Sequence, residues 1–224
     1  MKYFEPIFHV FYLSAVFYMS FKMLFSRKNY RLEKLFGAMG LILGAGDSFH
    51  LFPRIYALLT DGLEAHAAAL GIGKLVTSVT MTIFYVVLFR IWELRFNKKE
   101  SNTLRLLVGI LASARIILSL MPQNDWTNYY ASVIWGIYRN IPFTILGVLI
   151  VYLILKEAIY HKDKTFKYIG VGVIISFACY LPVVLWATTN RFVGMLMIPK
   201  TLAYLWVVYL GYKEVKRSNI TKSK

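Results

Sequence analysis

Apolar residues in this sequence are gathered into seven runs, which short polar connections separate. Each run holds about twenty residues, the length at which a helix crosses the roughly 30 Å hydrocarbon core of a bilayer. The pattern therefore predicts an all-α integral membrane protein with seven transmembrane helices, forming a single membrane domain over residues 1–224. The predicted spans are 6–25, 35–56, 68–90, 104–121, 131–155, 167–187 and 192–212.

Lysine and arginine are concentrated in every second connection. Eighteen of them lie in 26–34, 90–105, 156–167 and 213–224, whereas the N-terminal segment and the other connections hold three, Lys2, Arg54 and Arg191. Cytoplasmic connections of membrane proteins carry such an excess of positive charge. The bias predicts an N-terminus outside and a C-terminus in the cytoplasm, for a protein integral to the cell (cytoplasmic) membrane.

The composition supports the same class of protein. Hydrophobic residues make up 58% of the chain, compared with about 45–50% in soluble domains. The formal net charge of +15 does not indicate nucleic-acid binding, because most basic residues lie in connections, where they orient helices in a lipid bilayer. The single cysteine, Cys179, excludes a framework of disulfides within the chain.

A faint internal similarity relates the two halves of the chain. Spans two and six both reach a proline near their outer ends, Pro53 and Pro182. Spans three and seven both continue from a Val-Val pair into a charged tail, over 86–95 and 207–216. The arrangement is compatible with a 3+1+3 parallel repeat in which span four inverts the chain, a plan that transporters use.

Polar residues within the spans lie mainly in the outer halves. The candidate ligand-binding residues are Asp47, His50, Arg54, Lys74, Arg115, Arg139, Asn140 and Lys200. A charge at a helix centre costs about 2.5–3.5 kcal/mol on insertion scales. Four of these cations lie on four different helices: Lys74, Arg115, Arg139 and Lys200. They favour an outward-opening cavity of positive potential, which would attract a small anionic solute or an anionic lipid headgroup. The alternative is that the charges form structural ion pairs or extend to the membrane surface.

Two other functions stay open. Asp47 and His50 share a helix face, because residues three apart in a helix are neighbours, and they could serve a lipid-directed intramembrane hydrolase as acid, base or metal ligands. No HxxxH or HExxH motif accompanies them. A membrane sensor or interaction protein would need no catalysis. The sequence assigns no catalytic residue, metal ligand or cofactor.

Resemblances to known families are partial. The topology is similar to that of SWEET and PQ-loop transporters, but spans one and five lack the Pro-Gln pair, since Pro142 is followed by Phe143. Lys200 lies where a rhodopsin carries its retinal lysine, yet span three has no carboxylate as counter-ion. Gly46 and Asp47 are similar to a motif of lysoplasmalogenase-type enzymes, whose later intramembrane aspartate is missing here. We therefore assign no family.

Overall fold

Seven helices make up most of the chain. A computed structural model describes residues 3–26, 31–98, 102–129, 131–186 and 190–221, and these residues include no strand. The helices are α1 (Phe4–Leu24), α2 (Arg31–Leu59), α3 (Ala67–Arg95), α4 (Asn102–Leu120), α5 (Val133–Tyr160), α6 (Lys164–Trp186) and α7 (Met197–Thr221). Each is long and apolar enough to cross a membrane. The predicted number of spanning helices is confirmed, and the fold is consistent with a multi-pass membrane protein.

The helix ends differ from the predicted spans, most of all in α7. The seventh span was expected from residue 192, and the stretch long and apolar enough to cross a membrane does run over Phe192–Arg217; its first residues belong to a 3-10 helix, Arg191–Leu196, and α7 begins at Met197. Gly194 disfavours an earlier α-helical start, and Pro199 is tolerated in the first turn because its missing N–H has no partner there. Lys2 and residues 188 and 189, which belong to the predicted outer connections, lie outside the described residues.

The helices form a ring in chain order. Each packs against the next, α7 closes the ring on α1, and contacts of α3 with α5 and of α2 with α7 fill its interior. The core contains aromatic and aliphatic side chains such as Phe84, Tyr85, Leu88 and Leu146, which are fully buried. The orientation in the membrane and the internal repeat stay predictions.

Helices α2 and α3 pack backbone to backbone. A Cβ on Gly46 would lie 1.8 Å from Thr80 Oγ1, and one on Gly73 would lie 2.3 Å from the carbonyl oxygen of Phe49. Only glycine permits this approach, as in other membrane helix pairs with small residues at the interface. The Thr77 hydroxyl donates to the Gly46 carbonyl at 3.0 Å. This contact fixes the part of α3 that carries Lys74 and Thr77.

At the end of the bundle where α3, α5 and α7 finish, cations are paired with carboxylates. Glu93 binds Arg90 and Arg105, with 2.6 Å between the charged atoms in each pair. Arg95 joins Asp163 at 2.9 Å and Glu214 at 3.0 Å. This end corresponds to the predicted cytoplasmic side, and its charges hold helices together.

Candidate functional site

A cavity of about 270 Å³ lies at the other end of the bundle. There α2, α4 and α6 end and α3, α5 and α7 begin. Six of the eight candidate residues line it: His50, Lys74, Arg115, Arg139, Asn140 and Lys200. The other two, Asp47 and Arg54, do not belong to its lining.

Helical spacing explains how the sequence builds the walls. On α3 the lining residues are Lys74, Thr77, Ser78 and Met81, and on α7 they are Met197, Lys200 and Tyr204. Side chains three, four and seven positions apart share one face of a helix. The lining residues of each helix are therefore those on the face that the helix turns toward the interior of the ring.

Arg115 is the most deeply buried cation of the cavity, with 2% of its surface exposed. Its guanidinium carbon lies 4.9 Å from the ring centre of Phe143, and the guanidinium interacts with the Tyr180 hydroxyl. Nε and Nη1 are buried and have no hydrogen-bond partner among the described residues. Buried donors of this kind cost free energy, so Arg115 contributes two N–H groups beside the cavity that are unsatisfied among the described residues.

Hydrogen bonds orient Tyr180 toward Arg115. The Tyr180 hydroxyl donates to Asn140 Oδ1 at 2.7 Å, and Asn140 Nδ2 donates to the carbonyl of Gly136 at 2.7 Å. Because its proton is used in this bond, the Tyr180 oxygen offers lone pairs to the guanidinium. Asn140 thus acts by positioning Tyr180, and it is 4% exposed.

Lys200 lies beside the same tyrosine. Its ammonium nitrogen is 4.3 Å from the ring centre of Tyr180 and 5.9 Å from that of Tyr204. Such contacts stabilise a cation when it is partly desolvated. The Tyr204 hydroxyl lies 3.1 Å from that of Tyr85 beneath the cavity. Arg115 and Lys200 are therefore brought to one side chain, Tyr180, from two different helices.

Arg139 is held by the connection between α4 and α5. Its Nη1 donates to Asn124 Oδ1 at 2.6 Å, and its guanidinium carbon lies 4.4 Å from the ring centre of Trp126. Asn124 in turn donates to the carbonyls of Leu118 and Met121. Arg139 fixes this connection while it lines the cavity, and Arg115 is close enough to repel it.

The remaining two lining candidates differ in exposure. Lys74 is exposed, so its ammonium can reach the membrane surface. His50 is half-buried, and its Nδ1 has no hydrogen-bond partner among the described residues. Its polar atoms add to those of Arg115 in offering unfilled hydrogen-bonding capacity.

Asp47 and Arg54 are taken up by α1. The Tyr12 hydroxyl donates to Asp47 Oδ2 at 2.6 Å. The Lys200 ammonium also attracts the Asp47 carboxylate electrostatically. Arg54 Nε donates to Glu5, which also lies 3.3 Å from His9 Nε2. The structure thus places these two residues behind the cavity, on the side of α2 that α1 covers.

The charge of the cavity is strongly unbalanced. Among the residues that the structure describes, no aspartate or glutamate belongs to its lining. Among the described residues, none of Lys74, Arg115, Arg139 and Lys200 forms an ion pair with a carboxylate. Low-dielectric walls focus the field of such a set of cations. The cavity therefore has a positive potential that favours an anion.

Aromatic lining residues escaped the sequence reasoning. Phe143, Tyr180, Tyr204 and Trp126 all contact cations of the cavity. Tyr204 follows Lys200 by one helical turn, a signal available in the sequence. With 17% aromatic residues in the chain, however, such spacings occur often and discriminate poorly.

Asp47 and His50 could serve as metal ligands only if further ligand side chains lay beside them. In the part of the chain that the structure describes, no three His, Cys, Asp or Glu side chains come together. Neither a protein-family model nor a curated protein sequence nor a solved structure matches the chain. The function must therefore be argued from the cavity.

Proposed function

We propose that this multi-pass membrane protein binds or transports a small anionic solute through an outward-facing cavity. The observation that carries the proposal is Arg115, a cation 2% exposed with two buried N–H groups unsatisfied among the described residues. Lys200 and Arg139 add positive charge, and the described part of the lining holds no carboxylate. A bound anion would compensate both the charge and the missing hydrogen bonds.

The outward direction rests on the distribution of basic residues. The cavity lies at the end of the bundle that the positive-inside bias assigns to the exterior of the cytoplasmic membrane. At the other end, cations are matched by Glu93, Asp163 and Glu214. The arginines that join helices at that end form ion pairs with carboxylates, whereas among the described residues no cation of the cavity forms one.

The lipid-directed enzyme is the weaker alternative. It needs Asp47 and His50 to act on one substrate, yet His50 lines the cavity and Asp47 does not. The carboxylate of Asp47 accepts a hydrogen bond from Tyr12 on α1 instead. The geometry favours Asp47 as a balancing charge behind Lys200.

Thermal unfolding of the full-length protein in nanodiscs tests the proposal. A ligand at 100 times its Kd stabilises a folded protein by about 2.7 kcal/mol. We expect at least one of chloride, acetate, phosphate and sulfate to stabilise the protein, and we expect Arg115→Met to abolish that effect. The variant should still fold, because removing an intramembrane charge relieves an insertion cost of about 2.5–3.5 kcal/mol.

Lys22→Met is the matched control. Lys22 is exposed near the opposite end of α1, outside the cavity lining, so anion stabilisation should survive its loss. The proposal is wrong if no anion stabilises the wild-type protein, or if Arg115→Met keeps the full response. Uptake of the stabilising anion into proteoliposomes then separates a transporter from a binding protein that acts as a sensor.

A further inference from the structure

The cavity is lined by both polar and apolar side chains. Lys74, Thr77 and Ser78 of α3 are among the polar ones, and Val133 of α5, Val183 and Val184 of α6 and Met197 of α7, together called the apolar wall here, are among the apolar ones. The Thr77 and Ser78 hydroxyls already donate to backbone carbonyls, at 3.0 and 2.9 Å. The cations Arg115 and Lys200 both approach Tyr180, which also lines the cavity.

The apolar wall is poorly suited to an inorganic anion. Phosphate and sulfate would lose hydration against valine and methionine side chains that return no hydrogen bond. The cavity of about 270 Å³ is many times the roughly 10–15 Å³ that suffices to hold one water molecule. This exceeds the volume of a single carboxylate or phosphate group.

We infer that the anion is an organic carboxylate, whose charged group binds Arg115 and Lys200 and whose apolar part contacts the wall formed by Val133, Val183, Val184 and Met197. The inference rests on the proposed function and narrows it to a class of ligand. Carboxylate oxygens match the N–H donors of a guanidinium. The same chemistry occurs in short free acids and in membrane fatty acids.

The chain-length dependence of binding tests this inference. Acetate, butyrate, hexanoate, octanoate and palmitate would be titrated into the full-length protein in nanodiscs, with Trp126 of the lining among the fluorescence reporters. Each methylene that enters an apolar site is expected to tighten Kd about fourfold. If the affinity rises with chain length and levels off near octanoate, the ligand is a short free acid, because the cavity is then full. If the affinity continues to rise up to palmitate, the ligand is a fatty acid from the membrane.

Two controls separate binding in the cavity from partition into lipid. Hexanamide has the apolar part without the charge and should bind at least tenfold more weakly than hexanoate. Val184→Thr changes the apolar wall and should reduce the gain per methylene, whereas Val148→Thr, a 63% exposed position of α5 outside the lining, should leave it unchanged.

The outcomes distinguish the inference from the proposed function. Equal Kd values for acetate, butyrate and hexanoate, or tighter binding of phosphate than of hexanoate, would overturn the inference and leave an anion-binding cavity. Hexanamide binding as tightly as hexanoate would overturn it as well. Absence of binding by every carboxylate and inorganic anion would overturn both.

Discussion

The backbone carbonyl of Trp126 lies so close to Gly71 that a Cβ on this glycine would stand 1.4 Å from the oxygen. The indole Nε1 of Trp126 also donates to the carbonyl of Ser119 at 2.9 Å, and its ring contacts Arg139. The connection between α4 and α5 is therefore fixed to α3, α4 and α5 at once. Because Trp126 lines the cavity, Gly71 helps to position one of the lining residues.

Gly71→Ala is expected to displace this connection. The new methyl group has to push the Trp126 backbone away, and overpacking of this kind costs about 1–3 kcal/mol. Thermal unfolding and anion titration of the purified variant should show lower stability and weaker binding. In Gly109→Ala the new Cβ meets nothing within 4 Å, so that control should be neutral or stabilised by about 0.5–1 kcal/mol. Equal behaviour of the two variants would contradict the docking of Trp126 on Gly71.

Asp47→Asn is expected to preserve anion binding and to tighten it. The Asp47 carboxylate interacts with Lys200 from behind the cavity, so its removal leaves more positive charge for the ligand. An increase of about fivefold in affinity corresponds to ~1 kcal/mol. Isothermal titration of the anion that stabilises the wild-type protein measures the change.

Tyr12→Phe is the companion of this variant. It removes the hydroxyl that donates to Asp47 and leaves the carboxylate in place. It should therefore not tighten binding, although it costs stability through a lost buried hydrogen bond. Loss of anion binding in Asp47→Asn, with the fold intact, would mean that Asp47 contacts the ligand and would return the enzyme alternative to consideration.

Glu93→Gln is expected to destabilise the fold by about 1.5–3 kcal/mol, as hydrogen bonds to charged groups contribute. Glu93 is 3% exposed and holds Arg90 and Arg105 at 2.6 Å each. The side chains of the two arginines are 36% and 39% exposed, so each can regain water. Glu64→Gln, at an exposed position of the other end, should change stability by less than 0.5 kcal/mol. Thermal unfolding of both variants measures the difference. Equal stabilities would show that the ion pairs of Glu93 do not contribute to the stability of the fold.

The spanning helices could be predicted because their signal is local. A run of about twenty apolar residues specifies a membrane helix whatever its neighbours are. The change from a 3-10 helix to an α-helix at Met197 could not be predicted, since residues 192–196 already belong to the apolar stretch that spans the membrane. Boundaries depend on how the adjacent segments pack, which a hydrophobic run does not record.

The candidate site, too, could be predicted only in part. Depth in the span grouped Arg115, Arg139 and Lys200, and the structure brings them to one cavity. Depth cannot tell which side of α2 a residue faces. Asp47 and Arg54 face α1 because Tyr12 and Glu5 meet them there, a contact between residues 35 and 49 positions apart in the chain. Whether any of these residues binds a ligand stays a prediction.

The orientation of the bundle gives the last prediction. If the N-terminus is outside, the connection between α2 and α3 faces the exterior and the turn between α5 and α6 faces the cytoplasm. Cysteine labelling in intact cells distinguishes the two sides. The background is Cys179→Ala, because Cys179 is the only cysteine of the chain.

Asp61→Cys and Lys164→Cys then report the two sides, since both positions are exposed. A membrane-impermeant maleimide should label Asp61→Cys in intact cells and Lys164→Cys only after the cells are permeabilised. Both variants must be labelled equally in detergent, which shows that each thiol is reactive. The opposite pattern would place the cavity of Arg115 on the cytoplasmic side. The anion would then enter from the cytoplasm, and the positive charge of the connections would no longer explain the topology.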